Sequence, residues 1–391
     1  MRIRAQSRIA RTPSQLGVLS LAEKIIRTAN REHPADGVLR VELKGQTGLW
    51  PEERARVSRA VFAYYRWRGW LNEGKPIREQ VECALELADR YASEPGSFAD
   101  VELIARAVPD WLSTVMKVTA SWVRALQSEP RLWLRARRGQ GRALAAKLGD
   151  CRMFGEGFLA DALEYRGRSD LFRTREFHAG EFEVQDLSSQ AVGLICAPRP
   201  GETWWDACAG EGGKMLHFSD LMANKGLIWA SDRAGWRLAT LKRRAARAGV
   251  FNYRAVAWEG GSRLPTKTKF DGVLVDAPCS GIGTWHRNPH ARWTTTAEDV
   301  KELSEIQQAI LLHAAVGVKP GGKLVYAACT LADSETKGVV EGFERDGSQF
   351  ARLAVQNPLA LGSVPGDRLI LWPQESGGNG MCVAAWVRKT A

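Results

Sequence analysis

Hydrophobic and polar positions along this chain first follow a helical period. Apolar residues such as Val57, Val61, Tyr64 and Tyr65 recur at near-helical spacing, with arginines elsewhere around the same stretch. Similar spacing extends through the first third of the 391 residues. We therefore expect this front part to be helical. Its predicted helices span residues 21–29, 53–71, 79–91 and 109–126.

The period changes near residue 130. Residues 131–138 alternate apolar and basic side chains, which predicts a half-buried strand with a charged face suited to a phosphate backbone. From residue 184 onward, short apolar runs alternate with helical stretches, a pattern typical of a mostly parallel sheet covered on both faces. The predicted strands there are 203–206, 226–232, 253–258, 270–276 and 323–328, followed by an antiparallel hairpin of 368–372 and 381–387. The predicted helices there are 213–223, 234–248, 334–344 and one that opens with the capping-box pattern Thr295-Thr-Ala-Glu298.

These changes of pattern divide the chain into three predicted domains. Residues 1–128 form a helical domain, residues 129–180 a small α/β subdomain, and residues 181–391 an α/β domain. Sheets of parallel strands bind ligands at the carboxyl ends of the strands. Several predicted strands end in an aspartate or are followed by a cysteine, so we expect the functional residues at that edge.

The charge of the chain is concentrated before residue 149. The sequence has 55 Lys and Arg against 44 Asp and Glu, a formal net charge of +11. Residues 1–70 carry +8 and residues 122–148 carry +6, whereas residues 71–121 carry −4 and the remainder only +1. A localised basic surface favours a polyanion, so RNA or another nucleic acid is the expected partner. The alternative is a basic protein without such a partner.

The seven cysteines argue against two common uses of cysteine. Their number is odd and no Cys-x-x-Cys occurs, which disfavours a disulfide framework and a zinc ribbon. A reducing cytoplasm is therefore expected. His286 and His290 are four residues apart, but Pro289 between them disfavours a helical metal-binding pair, so no metal is predicted.

The N-terminus and the hydropathy give two further expectations. The Arg-rich stretch 1–11 suits an arm that contacts phosphates, and an organelle transit peptide is the alternative. No apolar run approaches the ~18 residues of a membrane span, so no membrane association is expected. The sequence carries no signal for oligomerisation, and a monomer is favoured.

The turn Asp206-Ala-Cys-Ala-Gly-Glu-Gly-Gly-Lys214 is the first chemical signal. A predicted strand runs into a glycine-rich turn and a helix, so backbone N–H groups can face a ligand. Cys208 and Met215 stand where a phosphate-binding Walker loop needs Gly and Ser or Thr, which disfavours a nucleotide triphosphatase. Asp232 ends the next strand, where a carboxylate can accept hydrogen bonds from ribose hydroxyls.

Two cysteines that follow separate strands are the second signal. Cys279 lies in Asp276-Ala-Pro-Cys-Ser-Gly281, and Cys329 follows the strand 323–328. Cysteines are more often buried as small apolar residues, and that alternative stands here. Their place beside Gly, Pro and an acid at strand ends favours a chemical role.

Together these motifs resemble the Nop/Sun family of RNA cytosine-C5 methyltransferases, over about residues 130–391. The helical first third resembles the NusB-like RNA-binding domain of the bacterial small-subunit rRNA type. The resemblance implies a Rossmann-like methyltransferase domain with a mostly parallel seven-stranded sheet, preceded by an all-α NusB-like domain. The matching stretches are Gln185-Asp-Leu-Ser-Ser-Gln190, the turn 206–214, residues 276–281, Arg287-Asn-Pro289 with Trp293, and Cys329-Thr-Leu331.

The resemblance also implies a mechanism and a cofactor, S-adenosyl-L-methionine. Cys329 is implied to add to C6 of cytosine, because a thiolate addition makes C5 nucleophilic enough to accept a methyl group. Cys279 is implied to help remove the C5 proton, and Lys214 and Asp276 to hold the base. The implied cofactor site consists of Cys208, Ala209, Gly210, Glu211, Gly212, Gly213, Lys214, Asp232, Glu259 and Asp276.

Several positions depart from the family pattern, and other functions stay open. Glu211 stands where Pro is usual, Met215 and Ala328 where Thr is usual, and Glu259 is a substitute for an adenine-contacting Asp. The expected substrate is 16S rRNA. The alternatives are tRNA cytosine-C5 methylation, a non-catalytic RNA-binding ribosome assembly factor, and methylation of a small molecule.

Overall fold

The structure is a computed structural model that describes residues 15–46, 48–360 and 362–390. The predicted arginine-rich arm, residues 1–11, lies outside the described residues. The helices are α1 (Gln15–Thr28), α2 (Ala35–Gly45), α3 (Pro51–Trp67), α4 (Ile77–Ser93), α5 (Asp100–Arg106), α6 (Ala120–Gln127), α7 (Gly141–Leu148), α8 (Arg175–His178), α9 (Leu187–Cys196), α10 (Gly213–Leu221), α11 (Gly235–Arg247), α12 (Ala291–Thr294), α13 (Ala297–Ala315), α14 (Val339–Asp346) and α15 (Pro373–Ser376). The strands are β1 (Leu132–Ala136), β2 (Cys151–Met153), β3 (Ala162–Tyr165), β4 (Phe182–Val184), β5 (Thr203–Asp206), β6 (Leu227–Asp232), β7 (Tyr253–Ala257), β8 (Phe270–Asp276), β9 (Val318–Ala328), β10 (Phe350–Leu353), β11 (Leu369–Leu371) and β12 (Met381–Arg388).

The chain forms two compact units. The first unit comprises the described residues up to Ala107 together with Asn288–Thr294, and the second comprises Val108–Arg287 with the residues from Thr295 onward. The segment Asn288–Thr294 thus belongs to the first unit although it lies far along the chain. The predicted domains 1–128, 129–180 and 181–391 stay a prediction.

The first unit is helical, as predicted for the front of the chain. The apolar stripe of α3 is buried, with Val57 and Val61 fully inaccessible in a core shared with α1, α2 and α4. Pro51 begins α3, where its missing N–H is not needed, and the Glu53 carboxylate accepts the backbone N–H of Trp50 at 2.9 Å. The helix therefore begins at Pro51, slightly before the predicted start at residue 53, and it ends at Trp67 instead of residue 71.

The predicted helix over 109–126 is wrong as a continuous element. A 3-10 turn, Asp110–Thr114, comes first, and α6 begins only at Ala120. Thr119 caps α6, since its hydroxyl accepts the backbone N–H of Trp122 at 3.4 Å. A side-chain cap in mid-stretch begins a new helix instead of continuing the old one.

The second unit contains a small antiparallel sheet with strand order β2-β3-β1-β4. The predicted strand over 131–138 is confirmed as β1, but its expected basic face toward a phosphate backbone is wrong for Arg135. That side chain is 2% exposed and forms an ion pair with Asp220 on α10. Buried charges need a partner, and Asp220 supplies it.

The main sheet has strand order β10-β12-β9-β8-β5-β6-β7, with β11 paired to β12 as an eighth strand off this path. Five adjacent strands in this order, β9, β8, β5, β6 and β7, pair in parallel. Strand β12 pairs antiparallel with β9, and β10 pairs antiparallel with β12. Seven strands in a mostly parallel path confirm the expected methyltransferase-like sheet. Buried clusters cover both faces, which explains why these strands are nearly continuous apolar runs.

The helices after β8 depart slightly from the sequence pattern. The capping box of α13 uses Thr296 and Asp299, one residue later than Thr295 and Glu298. The predicted helix 334–344 begins with a π-helical turn, Ser334–Gly338, before α14. Within the part of the chain that is described, none of the helices has both the length and the apolar character of a membrane crossing.

Candidate functional site

Strands β5, β6, β8 and β9 end at one edge of the main sheet, where the strand order reverses between β5 and β8. Crevices at such a reversal are the usual ligand sites of open parallel sheets. A cavity of about 640 Å³ opens there. Its lining includes eleven of the twelve predicted site residues, namely Cys208, Ala209, Gly210, Glu211, Gly213, Lys214, Asp232, Glu259, Asp276, Cys279 and Cys329.

The glycine-rich turn after β5 has a backbone that side chains would obstruct. Gly212 has a φ of 87°, and a Cβ there would lie 2.7 Å from Cγ of Leu241 on α11. Gly210 has a φ of 54°, also in the left-handed region that favours glycine. Gly212 itself is outside the cavity lining and acts by shaping the turn. The N-terminus of α10 follows immediately at Gly213.

Asp232 joins the turn to the end of β6. One carboxylate oxygen accepts the backbone N–H of Gly210 at 3.0 Å, and the other accepts the N–H of Ala234 at 2.8 Å. The side chain is 7% exposed and lines the cavity. It therefore fixes the turn and still presents a carboxylate to whatever occupies the cavity.

Lys214 and Asp276 form an ion pair in the cavity wall. The Lys214 Nζ lies 2.6 Å from a carboxylate oxygen of Asp276. Burial opposes the charge on Lys214, but the Asp276 carboxylate outweighs it and the pKa of the ammonium is raised above its ordinary value. The nearby Cys329 also contributes to that rise. A permanent positive charge therefore lies close to both Asp276 and Cys329.

The two predicted catalytic cysteines meet in the same wall. Strands β8 and β9 are parallel neighbours, and the Sγ atoms of Cys279 and Cys329 are 3.2 Å apart. The hydrogen bond with Cys329, together with burial, raises the pKa of Cys279 well above its ordinary value. Either sulfur can donate this hydrogen bond, and the shift favours the protonated form of Cys279.

The remaining cysteine of the cavity differs from this pair. Burial raises the pKa of the Cys208 thiol, and the carboxylates of Asp206 and Asp276 act in the same direction. Cys208 is therefore a neutral wall residue beside the turn. Among the described residues no group of three or more His, Cys, Asp or Glu is suited to hold a metal ion.

Asp206 ends β5 behind the turn and is completely buried. Neither of its carboxylate oxygens has a hydrogen-bond partner of good geometry among the described residues. Burial and the charge of Asp276 raise its pKa to about 7, although Lys214 acts in the opposite direction. The backbone N–H of Met215 on α10 also acts on this carboxyl group and lowers its pKa, but burial outweighs it. The sequence places an acid here but gives no sign that it is buried.

A buried hydrogen-bond chain connects β1 to the glycine-rich turn. Arg135 donates through Nε to Oε1 of Gln185 at 2.6 Å, and Gln185 donates through Nε2 to the carbonyl oxygen of Gly213 at 3.2 Å. Gln185 begins one of the motif stretches identified in the sequence. Its place in the structure gives that motif a physical role, since it supports the turn from behind.

Sequence reasoning missed two residues near the cavity. Trp236 lines it and is 63% exposed, although it lies only four residues beyond Asp232. Glu335 is fully buried and accepts hydrogen bonds from residues that follow each of the two cysteines. An acid in the first turn of a predicted helix is normally solvent-exposed, so the sequence carried no signal for Glu335.

Comparison with known sequences gives one family. Residues 193–387 match the family described as 16S rRNA methyltransferase RsmB/F. "Probable ribosomal RNA small subunit methyltransferase B" of Synechocystis sp. is 43% identical over 175 residues, which cover 44% of this chain and 39% of that protein. "Ribosomal RNA small subunit methyltransferase B" of Sodalis glossinidius is 30% identical over 318 residues, covering 76% of this chain and 70% of the relative. The chain spans about 40% of the length of the Synechocystis and Bacillus subtilis relatives that it matches.

Two solved structures share the fold. "Crystal Structure of PH0851" has a TM-score of 0.79 at 20% identity and covers 96% of this chain and 99% of its own. "The crystal structure of NSun6 from Pyrococcus horikoshii with SFG" has a TM-score of 0.61 at 18% identity, covering 69% of this chain and 94% of its own. At these identities the comparison establishes a shared fold.

Proposed function

Because the chain belongs to the 16S rRNA methyltransferase RsmB/F family, we propose that it methylates C5 of cytosine in RNA through a covalent Cys329–C6 adduct. The observation that carries this proposal is the pair of sulfur atoms, Cys279 and Cys329, 3.2 Å apart in the wall of one cavity. The same cavity is lined by the glycine-rich turn and Asp232. Nucleophile, second thiol and a cofactor-sized space thus adjoin one another.

The residues of the cavity fit S-adenosyl-L-methionine. Gly210 and Gly213 line the cavity without a side chain, so a ligand can approach the backbone of the turn closely, and the volume of about 640 Å³ lies in the range of small-molecule sites. The Asp232 carboxylate suits ribose hydroxyls, and Glu259 lines the far side as the candidate adenine contact. When bound, this cofactor supplies an electrophilic methyl group on a sulfonium.

The two thiols divide the covalent chemistry. Cys329 attacks C6 of cytosine, and the C5 position then takes up the methyl group and must lose its proton before Cys329 can leave. Once Cys329 is bonded to C6, the thiol–thiol hydrogen bond that raises the pKa of Cys279 is lost, and Cys279 can give its proton to solvent. The Cys279 thiolate then takes the C5 proton, the electrons of the C5–H bond restore the C5–C6 double bond, and Cys329 leaves as a thiolate.

Lys214 and Asp276 have separate roles: Lys214 places a positive charge beside Cys329, and Asp276 orients the cytosine base. The Lys214 ammonium supplies a positive charge beside the thiolate that the attack requires. Asp276 anchors that ammonium at 2.6 Å and ends β8 in the cavity wall, where its carboxylate can accept from the exocyclic amino group of cytosine. Both side chains are held by the fold, so little reorganisation is needed when a base enters.

We propose 16S rRNA as the substrate, because relatives with 30–43% identity are named as small-subunit rRNA methyltransferases. The basic segments 1–70 and 122–148 supply charge for phosphate contacts, which offsets the few kcal/mol needed to flip a base out of its stack. The NusB-like character of the helical front and the three-domain division belong to the same proposal. All seven cysteines are free, which fits the reducing cytoplasm as the place of action.

Replacement of the nucleophile tests the reaction. We expect Cys329→Ala to lower methyl transfer from labelled S-adenosylmethionine to small-subunit rRNA at least ~1000-fold, because the covalent route is lost. Cofactor affinity, measured by calorimetry, should be retained. Cys83→Ala is the matched control, since Cys83 is an exposed thiol outside the cavity. Full turnover by Cys329→Ala would reject the assignment, and methylation of tRNA in place of rRNA would redirect the substrate.

Replacement of the second cysteine tests the release step. Cys279→Ala removes the base that we assign to the C5 proton, so Cys329 cannot be eliminated and a protein–RNA adduct should accumulate. The adduct is measured as a denaturation-resistant shifted band on gels with labelled RNA. A single-turnover experiment should show one methyl group per trapped RNA. A Cys279→Ala enzyme that releases product at the wild-type rate without adduct contradicts this role.

A further inference from the structure

Glu335 is a buried acid whose hydrogen-bond donors, among the described residues, are neutral groups. Its side chain lies in the π-helical turn Ser334–Gly338 that follows β9, and the residue is inaccessible to solvent. No arginine or lysine among the described residues forms an ion pair with it. A buried carboxylate is tolerated only when hydrogen bonds stabilise its charge, so its donors show what it is built to hold.

Four donors converge on the Glu335 carboxylate. Oε1 accepts the backbone N–H of Ser280 at 2.8 Å and the side-chain amide of Gln307 at 2.8 Å. Oε2 accepts the hydroxyl of Thr330 at 2.6 Å and the hydroxyl of Ser280. Each oxygen therefore receives two hydrogen bonds, which is the full capacity of a carboxylate.

The donors come from the residues next to the two cysteines. Ser280 directly follows Cys279 in the loop after β8, and Thr330 directly follows Cys329 at the end of β9. The two hydroxyls also lie 3.0 Å from each other. One carboxylate thus links the backbone positions that set where each sulfur lies.

We propose that Glu335 is a positioning residue that clamps Ser280 to Thr330 and thereby holds the Cys279 and Cys329 sulfurs face to face. The inference rests on the proposed function for its catalytic meaning, but the sulfur geometry can be tested without methyl transfer. Tyr326 stabilises this arrangement, because its hydroxyl lies 2.7 Å from the Glu335 carbonyl oxygen and 2.8 Å from Oε1 of Gln307.

The clamp has a second effect through its charge. Among the groups that face Cys279, the largest effect on its pKa is the hydrogen bond with Cys329, and the negative charge of Glu335 acts in the same direction. Burial raises the pKa of the Tyr326 phenol and both thiols add to that rise, which shows that its charge state is coupled to theirs. The carboxylate therefore favours Cys279 as the protonated partner, which leaves Cys329 as the attacking sulfur.

The test compares Glu335→Gln and Glu335→Ala with the wild type. Glutamine keeps the size of the side chain but places an NH2 group against donors, so at least one link of the clamp is lost. Glu341→Gln is the matched control, because Glu341 is an exposed acid of α14 that lies 3.8 Å from Lys337. Circular dichroism identifies which variants fold. If Glu335→Ala does not fold, Glu335→Gln alone decides the test.

The first readout needs no substrate. Diamide takes two hydrogen atoms from neighbouring thiols to give a disulfide and its own hydrazine product, and mass spectrometry of peptides follows formation of the Cys279–Cys329 bond. We expect about 10-fold slower closure in the Glu335 variants, because a shift of the sulfurs by even 1 Å lowers such rates strongly. The control should close at the wild-type rate. Closure at the wild-type rate in a folded Glu335→Gln protein overturns the clamp.

The second readout separates positioning from simple structural support. The pH profile for iodoacetamide labelling of Cys279 should move to lower pH in Glu335→Gln, because a negative charge near the thiol is removed. An unchanged profile contradicts the electrostatic part. For methyl transfer, kcat should fall about 10-fold with KM for RNA unchanged. If the wild type transfers no methyl group, the proposed function fails, and the disulfide rate still decides whether Glu335 positions the sulfurs.

Discussion

The buried Asp206 makes the stability of β5 depend on pH in a way that can be measured. A carboxyl group whose pKa is higher in the folded state binds its proton more tightly there. For Asp206, burial raises the pKa from 3.8 to about 7. The stability associated with that proton is complete below the ordinary value and is lost as the pH rises through about 7. Asp206→Asn removes this titration and should show no such loss.

The magnitude follows from the two pKa values. Between pH 5 and pH 8 the wild type loses roughly 3 kcal/mol of stability at this site, on the order of a hundred-fold in the opening equilibrium. The assay is hydrogen exchange followed by mass spectrometry on peptides that contain β5. The ratio of protection in Asp206→Asn to protection in the wild type should rise about 100-fold from pH 5 to pH 8. Comparing the two proteins at each pH cancels the intrinsic exchange rates.

A neighbouring aspartate provides the control. Asp271 on β8 accepts the backbone N–H of Thr203 at 2.8 Å and a hydrogen bond from Lys319 at 2.7 Å. Partial burial opposes its charge, but these contacts lower its pKa below the ordinary value, so it is ionised at both pH values. Asp271→Asn should therefore change protection equally at pH 5 and pH 8. If the Asp206→Asn ratio does not rise with pH, the raised pKa inferred for this buried carboxyl group is refuted.

Two further predictions concern the supports of the cofactor turn. Asp232→Asn removes the charge that receives two backbone N–H groups, and we expect the Kd for S-adenosylmethionine to rise about 10- to 100-fold by calorimetry. Unchanged affinity would contradict its assigned role. Arg135→Met leaves Asp220 without its most buried partner, and the free energy of unfolding of the second unit should fall by about 3 kcal/mol in urea titrations. A loss below about 1 kcal/mol would show that the ion pair adds little net stability.

The sheet could be predicted because its strands are buried on both faces. Strands β5 and β8 have the predicted bounds, and the hairpin of β11 and β12 is confirmed as antiparallel. In β8, for example, Val273, Leu274 and Val275 are consecutive apolar residues without solvent exposure, and the acid Asp276 ends the strand. The short strands β2 and β4 were missed, because three residues are too few to show an alternating pattern.

The residues of the candidate site that could be predicted are those whose residue type alone indicates a chemical role. Cysteines after neighbouring strands and an Asp after β6 could be identified from their place at strand ends, and the structure brings them into one cavity wall. Glu335 and Arg135 could not be found this way. Their roles depend on which residues the fold packs against them, and a charged residue in a sequence gives no sign of being buried. Tertiary packing decides that property.

The segment Asn288–Thr294 has a consequence for dissecting the molecule. Its Trp293 packs against the core of the first unit, and the indole N–H donates to the carbonyl oxygen of Tyr65 at 2.6 Å. The polypeptide therefore passes between the units three times, so no single cut separates them. A shortened protein that begins after Ala107 would present a bare indole to water in the middle of its sequence. Any fragment meant to be studied alone would have to shorten or rewrite that loop as well.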